Sequence, residues 1–170
     1  MAKTTHFLSI SRDVTGVSYI EFVGNVRTTG SSNWEESTVD AFTRNLPEML
    51  CAMALDGGKF ICIAELRDRR YVQFLVKPSW HIYSEVVSNL NIVHAVALST
   101  EDEDRLRVLG FHEPAPDRSP NWHMQSTDSG DLLHIANVST LAMKNSLHAF
   151  DDDPIFVKTW RESPPVIERV

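Results

Sequence analysis

The chain has 170 residues and a mass of 19.2 kDa, the size of one domain, and its 42% hydrophobic content is enough to build a core. Its formal charge of -7, from 16 basic and 23 acidic residues, gives no electrostatic footprint for nucleic acid or an anionic membrane. No apolar run approaches the roughly 18 residues of a membrane helix, and residues 1–30 lack the basic-then-apolar order of a signal peptide, so a soluble cytoplasmic protein is expected.

Residues 6–23 hold two apolar clusters separated by Gly16 and read as a β-hairpin. Residues 24–33, rich in Gly, Ser, Thr and Asn, read as a linker. Phe42, Leu46, Met49, Leu50 and Met53 then recur at the spacing that lines one helical face. Pro47 sits inside this pattern, so the helix either kinks there or restarts with Asn45 as cap, and Asp56-Gly57-Gly58 ends it. Cys51 and Cys62 lack CxxC spacing and fall within apolar patterns, which suits small hydrophobes better than ligands or nucleophiles.

Residues 59–66 and 71–77, joined by the charged stretch 67–70, read as an antiparallel pair, with 81–87 as a third strand of a meander. The apolar stretch 91–98 fits either a short strand or the approach to a helix. A second helix over 101–109 is marked by Ser99 or Thr100 as N-cap, by three acids in its first turn and by Gly110 at its end. The proline-rich stretch 112–120 reads as an extended loop and 122–126 as a short strand. A third helix follows, capped by Asp128 or Ser129, with apolar residues around most of its circumference, and is expected to be substantially buried across the sheet. Asp151, Asp152, Asp153 and Pro154 stop it, leaving 155–160 as a last strand or an ordered tail.

Catalytic signatures are absent. The seven histidines form no HxH, HxxxH or HExxH pattern, and no GxGxxG, GxxxxGK[ST] or GxSxG occurs, so no cofactor and no metal is expected. His112 and His123 flank the proline loop. The acids 101–104 and 151–153 are explained by helix ends. Polar groups among strand aromatics are harder to dismiss: Tyr71, Gln73, Tyr83, Glu85, Asn89, Asn121 and Trp122 form the candidate peptide- or protein-binding set. Open sheet edges bind extended peptides through their backbone, but the same polar groups also suit sheet ends and loops. Trp122 suits either an interaction anchor or a lid over the core.

The order of these elements, with RYVQF at 70–74, SEVVSN at 84–89, LRVLGF at 106–111 and PNW at 120–122, resembles the actinobacterial YbjN-like and type III secretion chaperone-like proteins over residues 34–150. The resemblance implies an α+β domain, an antiparallel sheet flanked by helices, often dimeric, that binds peptides or partner proteins. On that basis residues 1–170 form one domain: a hairpin extension over 1–30, a chaperone-like core over 34–150 and a tail over 151–170. Two functions follow. One is a non-enzymatic protein- or peptide-binding module with an unknown client, neither nucleic acid nor membrane, that forms a homodimer. The other is a small-molecule-binding protein or enzyme with a pocket near Gln73, Glu85 and His123.

Overall fold

A computed structural model describes residues 7–12, 18–23, 34–92, 94–115 and 119–162. The two N-terminal apolar clusters form β1 (Phe7–Arg12) and β2 (Ser18–Val23), which pair antiparallel with each other. The expected linker and the hairpin turn at Gly16 lie outside the described residues.

Thr38 closes the short strand β3 (Glu35–Thr38) and caps α1 (Val39–Asp56), its hydroxyl accepting from the Ala41 N–H at 3.2 Å. The helix runs through Pro47 without restarting at Asn45, whose amide instead donates to the Ala41 carbonyl at 2.7 Å. Tertiary packing outweighs the proline penalty: Phe42, Leu46, Met49, Leu50 and Met53 are all buried on one face. Gly57 ends the helix in the left-handed region, at φ 72°.

The meander follows as expected, with β4 (Lys59–Leu66), β5 (Tyr71–Lys77) and β6 (His81–Val86). Among the described residues of 91–98 there is no strand, and His94–Val96 form a 3-10 turn. Helix α2 (Thr100–Val108) opens on a reciprocal capping box between Ser99 and Asp102. It closes on a Schellman arrangement: the Phe111 N–H reaches the Leu106 carbonyl and the Gly110 N–H that of Arg107, with Gly110 at φ 91°. Strand β7 (Trp122–Ser126) precedes a 3-10 turn, Ser129–Asp131, capped by Asp128, and then α3 (Leu132–Leu141), which continues as the π-helical turn Ala142–Ser146.

Two expectations need correction. α3 is amphipathic rather than substantially buried, because Leu133 is 61% exposed and Leu141 also faces outward, while Leu132, Ile135, Ala136 and Val138 pack inward. Residues 155–160, read as a last strand or an ordered tail, are a strand, β8 (Pro154–Glu162), and what needs correcting is its place: it lies inside the sheet rather than in a tail after the core. The six strands run in the order β3-β8-β4-β5-β6-β7, all antiparallel. The chain is thus α+β, with β8 joining the start of the core to its meander.

All three helices lie toward one face of this sheet. That face carries Phe60, Cys62, Ala64, Val72, Phe74, Val76, Ile82, Val86, Trp122 and Met124, all buried. Ser84 on β6 meets Ser139 on α3 at 2.7 Å, so two small side chains let helix and strand approach closely. Burial pushes the Cys62 thiol up to about 12, which keeps it a protonated hydrophobe. No helix among the described residues is long and apolar enough to cross a membrane.

Candidate functional site

Strand alternation sends every second residue to the other side of the sheet, where no helix packs. Registers across the strands arrange these residues in ranks. Trp160, Ile61, Leu75, Tyr83 and Gln125 form one rank from β8 to β7. Lys158, Ile63, Gln73, Glu85 and His123 form the next, and Glu36, Phe156, Glu65 and Tyr71 a third. All but the exposed Gln125 are half-buried. The Lys158 ammonium stands 5.8 Å from the Trp34 ring and 5.6 Å from the Trp160 ring, and Lys77 stands 4.6 Å from that of Tyr83.

At the β5–β6 end a polar network fixes this face. The Glu85 carboxylate accepts from Ser119 Oγ at 2.9 Å, Asn121 Nδ2 at 3.3 Å and Gln73 Nε2 at 3.4 Å. Asn121 also donates to the Tyr71 hydroxyl at 3.0 Å and accepts from the Ser88 N–H at 3.3 Å and Asn91 Nδ2 at 2.8 Å. Only 5% exposed, Asn121 ties the loop before β7 to both neighbouring strands. Burial raises the Tyr71 hydroxyl above the ordinary phenol range; the Asn121 hydrogen bond opposes this, while the charges of Glu85 and Glu65 add to it. Tyr71 therefore stays protonated, a neutral hydrogen-bonding group beside a carboxylate.

Four of the seven candidate residues, Tyr71, Gln73, Glu85 and Asn121, meet in this network, and Tyr83 stands in the neighbouring rank. Asn89 departs from them: its amide donates to the Leu98 carbonyl at 2.9 Å and accepts the Leu98 N–H at 2.6 Å, clasping the approach to α2. Trp122 is the clearest correction. It is 1% exposed on the helix-side face, with the Arg107 guanidinium 5.2 Å from its ring, so it is a core residue and cannot anchor a partner in this state. Its indole N–H has no hydrogen-bond partner among the described residues.

His123 faces Glu85 across β6 and β7 and lies in one rank with Gln73. His112 does approach His123: their backbones exchange two hydrogen bonds and their rings lie 5.5 Å apart. This bridge occupies the outer edge of β7 at His123, and at the other edge the four residues of β3 pair with β8 only over Pro154–Val157. No group of three potential metal ligands occurs among the described residues.

Sequence reading missed several parts of the face: Ile61, Ile63, Leu75, Phe156, Lys158 and Trp160, together with Ser119 in the network. The signal was present for the first three, since Ile61 and Ile63 share one parity in β4 and Leu75 shares that of Tyr71 and Gln73 in β5.

A family model described as "TY-Chap3: T3SS (YopN, CesT) and YbjN peptide-binding chaperone 3" matches residues 30–155. No curated protein and no solved structure matches the chain.

Proposed function

The chain belongs to the family of T3SS (YopN, CesT) and YbjN peptide-binding chaperones, and from that premise we propose that it is a non-enzymatic module holding an extended peptide or protein segment on the helix-free face of its sheet. One observation carries the reading: three ranks of aromatic, aliphatic and polar side chains stand on that face. Ile61, Ile63, Leu75, Tyr83 and Trp160 supply apolar contact. Tyr71, Gln73 and Glu85 supply hydrogen-bonding groups already fixed in place, so little ordering cost falls on binding.

The span from β8 to β7 covers four strand spacings, about 19 Å, which accommodates roughly six residues of an extended chain laid across the strands. The net charge of -7 favours clients that combine apolar and basic residues, and their association should weaken as salt rises. A cytoplasmic location and a homodimer are separate parts of the proposal, the dimer supported by family likeness alone. Light scattering that returns a 19.2 kDa species at all concentrations would remove the dimer.

The test is fluorescence anisotropy with a fluorescein-labelled peptide alternating Phe or Val with Lys or Ser. The expected result is saturable binding that falls at least tenfold in Leu75→Asp/Tyr83→Asp and is unchanged in Leu133→Asp, on the outer side of α3. Equal binding by all three proteins would refute the placement.

A further inference from the structure

His112 opens the proline-rich loop and bridges β7 at His123 through two backbone hydrogen bonds, of 2.8 and 3.1 Å. Residues directly opposite in an antiparallel pair send their side chains to one face. Both imidazoles therefore stand on the helix-free face, beyond Glu85 in the rank that runs through Gln73. Their ring centres lie 5.5 Å apart and the rings are tilted by 43°. Two features of the pair suit a shared metal ion. The first is spacing: with a metal–nitrogen bond of about 2.0–2.1 Å and roughly 1.1 Å more to the ring centre, two imidazoles sharing one ion at an angle of about 110–120° have centres about 5.2–5.5 Å apart. The second is the tautomer. His123 Nδ1 lies 3.3 Å from the Asn121 carbonyl, an oxygen that only accepts, so Nδ1 carries the proton and the lone pair is left on Nε2, at the far end of the ring. A backbone carbonyl placed in this way orients a metal-binding imidazole.

We propose that His112 and His123 together bind one divalent transition-metal ion of the zinc class. The nearby carboxylates are engaged elsewhere: Glu85 accepts from Ser119, Asn121 and Gln73, and Glu113 pairs with Arg107 at 2.6 Å. No group of three potential ligands occurs among the described residues, and His112 is exposed, so water completes the coordination and the site stays open to solvent. Imidazole suits Zn2+, Ni2+ and Cu2+, whereas Mg2+ and Ca2+ prefer oxygen ligands and are not held. The ion ties the start of the loop to β7, and the far end of the same loop carries Ser119 and Asn121 to Glu85. Binding thus steadies the polar end of the helix-free face. The inference does not depend on that face holding a peptide.

The test is isothermal titration of the full chain with Zn2+, Ni2+ and Mg2+, in wild type, His112→Ala, His123→Gln and His134→Ala, the last replacing an exposed histidine on α3. Wild type should take up one Zn2+ or Ni2+ per chain and no Mg2+. Affinity should fall at least tenfold in His112→Ala and in His123→Gln and stay unchanged in His134→Ala. At a Zn2+ concentration a hundredfold above the dissociation constant, the melting midpoint should rise by roughly 5–10 °C in wild type and in His134→Ala, and by much less in the other two. Zn2+ should also shift the NMR ring signals of His112 and His123 before those of the chain's other histidines. His112 is exposed, so its variant carries the test if His123→Gln unfolds. Failure of wild type to bind Zn2+ and Ni2+, or equal affinity in wild type and His112→Ala, overturns the site. Affinity lost in His112→Ala but kept in a folded His123→Gln overturns the shared ligation.

Discussion

Replacing Asn121 by Ala removes the residue on which the polar end of the face depends. The Ser88 N–H is buried and would lose its acceptor, and an unpaired buried N–H costs about 1–3 kcal/mol. The bonds to Tyr71 and Asn91 are worth roughly 0.5–1.5 kcal/mol each, and water replaces part of them because both partners reach solvent. The expected loss is about 2–4 kcal/mol. With a urea dependence of about 2 kcal/mol per molar, the unfolding midpoint should fall by roughly 1–2 M. Asn121→Asp should be worse at neutral pH, because it sets a second carboxylate against Glu85. The folded pKa of that pair is then raised above its unfolded value, so the variant gains stability as pH falls from 7 toward 4, opposite to the usual acid trend. Urea denaturation at pH 7 and pH 5 reads both effects. A change under about 0.5 kcal/mol for Asn121→Ala, or no pH dependence in the Asn121→Asp deficit, would refute the assignment of Asn121 as the tie between loop and strands.

Other outcomes follow from the same geometry. Trp122→Ala empties a core position and should cost about 3–5 kcal/mol in urea denaturation, a loss of folding rather than of a contact surface. Gly110→Ala keeps enough space, with Met124 Cε 3.8 Å from the new Cβ, but strains the left-handed cap; the melting midpoint should fall by the equivalent of about 1 kcal/mol, and Gly110→Asn should cost less. Burial alone would raise the Asp102 pKa, but the Ser99 hydrogen bonds and the His148 contact together lower it below the usual carboxylate range. Its stabilisation is therefore present above its unfolded pKa, about 4, and lost as pH falls through the lower folded value. The stability gap between wild type and Asp102→Asn, measured at pH 7 and again near pH 3, should shrink at the lower pH.

Elements that announce themselves locally were legible in the sequence. The spacing of Phe42, Leu46, Met49, Leu50 and Met53 specifies α1, and Ser99, Asp102 and Gly110 specify both ends of α2, because side-chain periodicity and caps act within a turn or two. β3 was not legible: Glu35, Glu36, Ser37 and Thr38 have no apolar signal, and their strand conformation comes from pairing with β8 far along the chain. The interior place of β8 was hidden for the same reason, and nothing local in residues 142–146 marks a π-helical turn. In the candidate site, Tyr71 and Gln73 share one strand parity and were grouped correctly with Glu85. The same rule puts Trp122 and Met124 on the side opposite His123, which was enough to send Trp122 to the core. Asn89 could not be placed this way, since its partners at Leu98 belong to an irregular segment.

The most direct measurement of where a client sits is the response of isoleucine and leucine methyl groups in the NMR spectrum during titration with the labelled Phe/Val–Lys/Ser peptide. Ile61, Ile63 and Leu75 stand on the helix-free face, and Leu133 and Leu141 on the outer side of α3. Shifts concentrated at the first three, saturating at the concentration found by anisotropy, are the predicted result. Shifts concentrated at Leu133 and Leu141, with Ile61, Ile63 and Leu75 unmoved, would contradict the account.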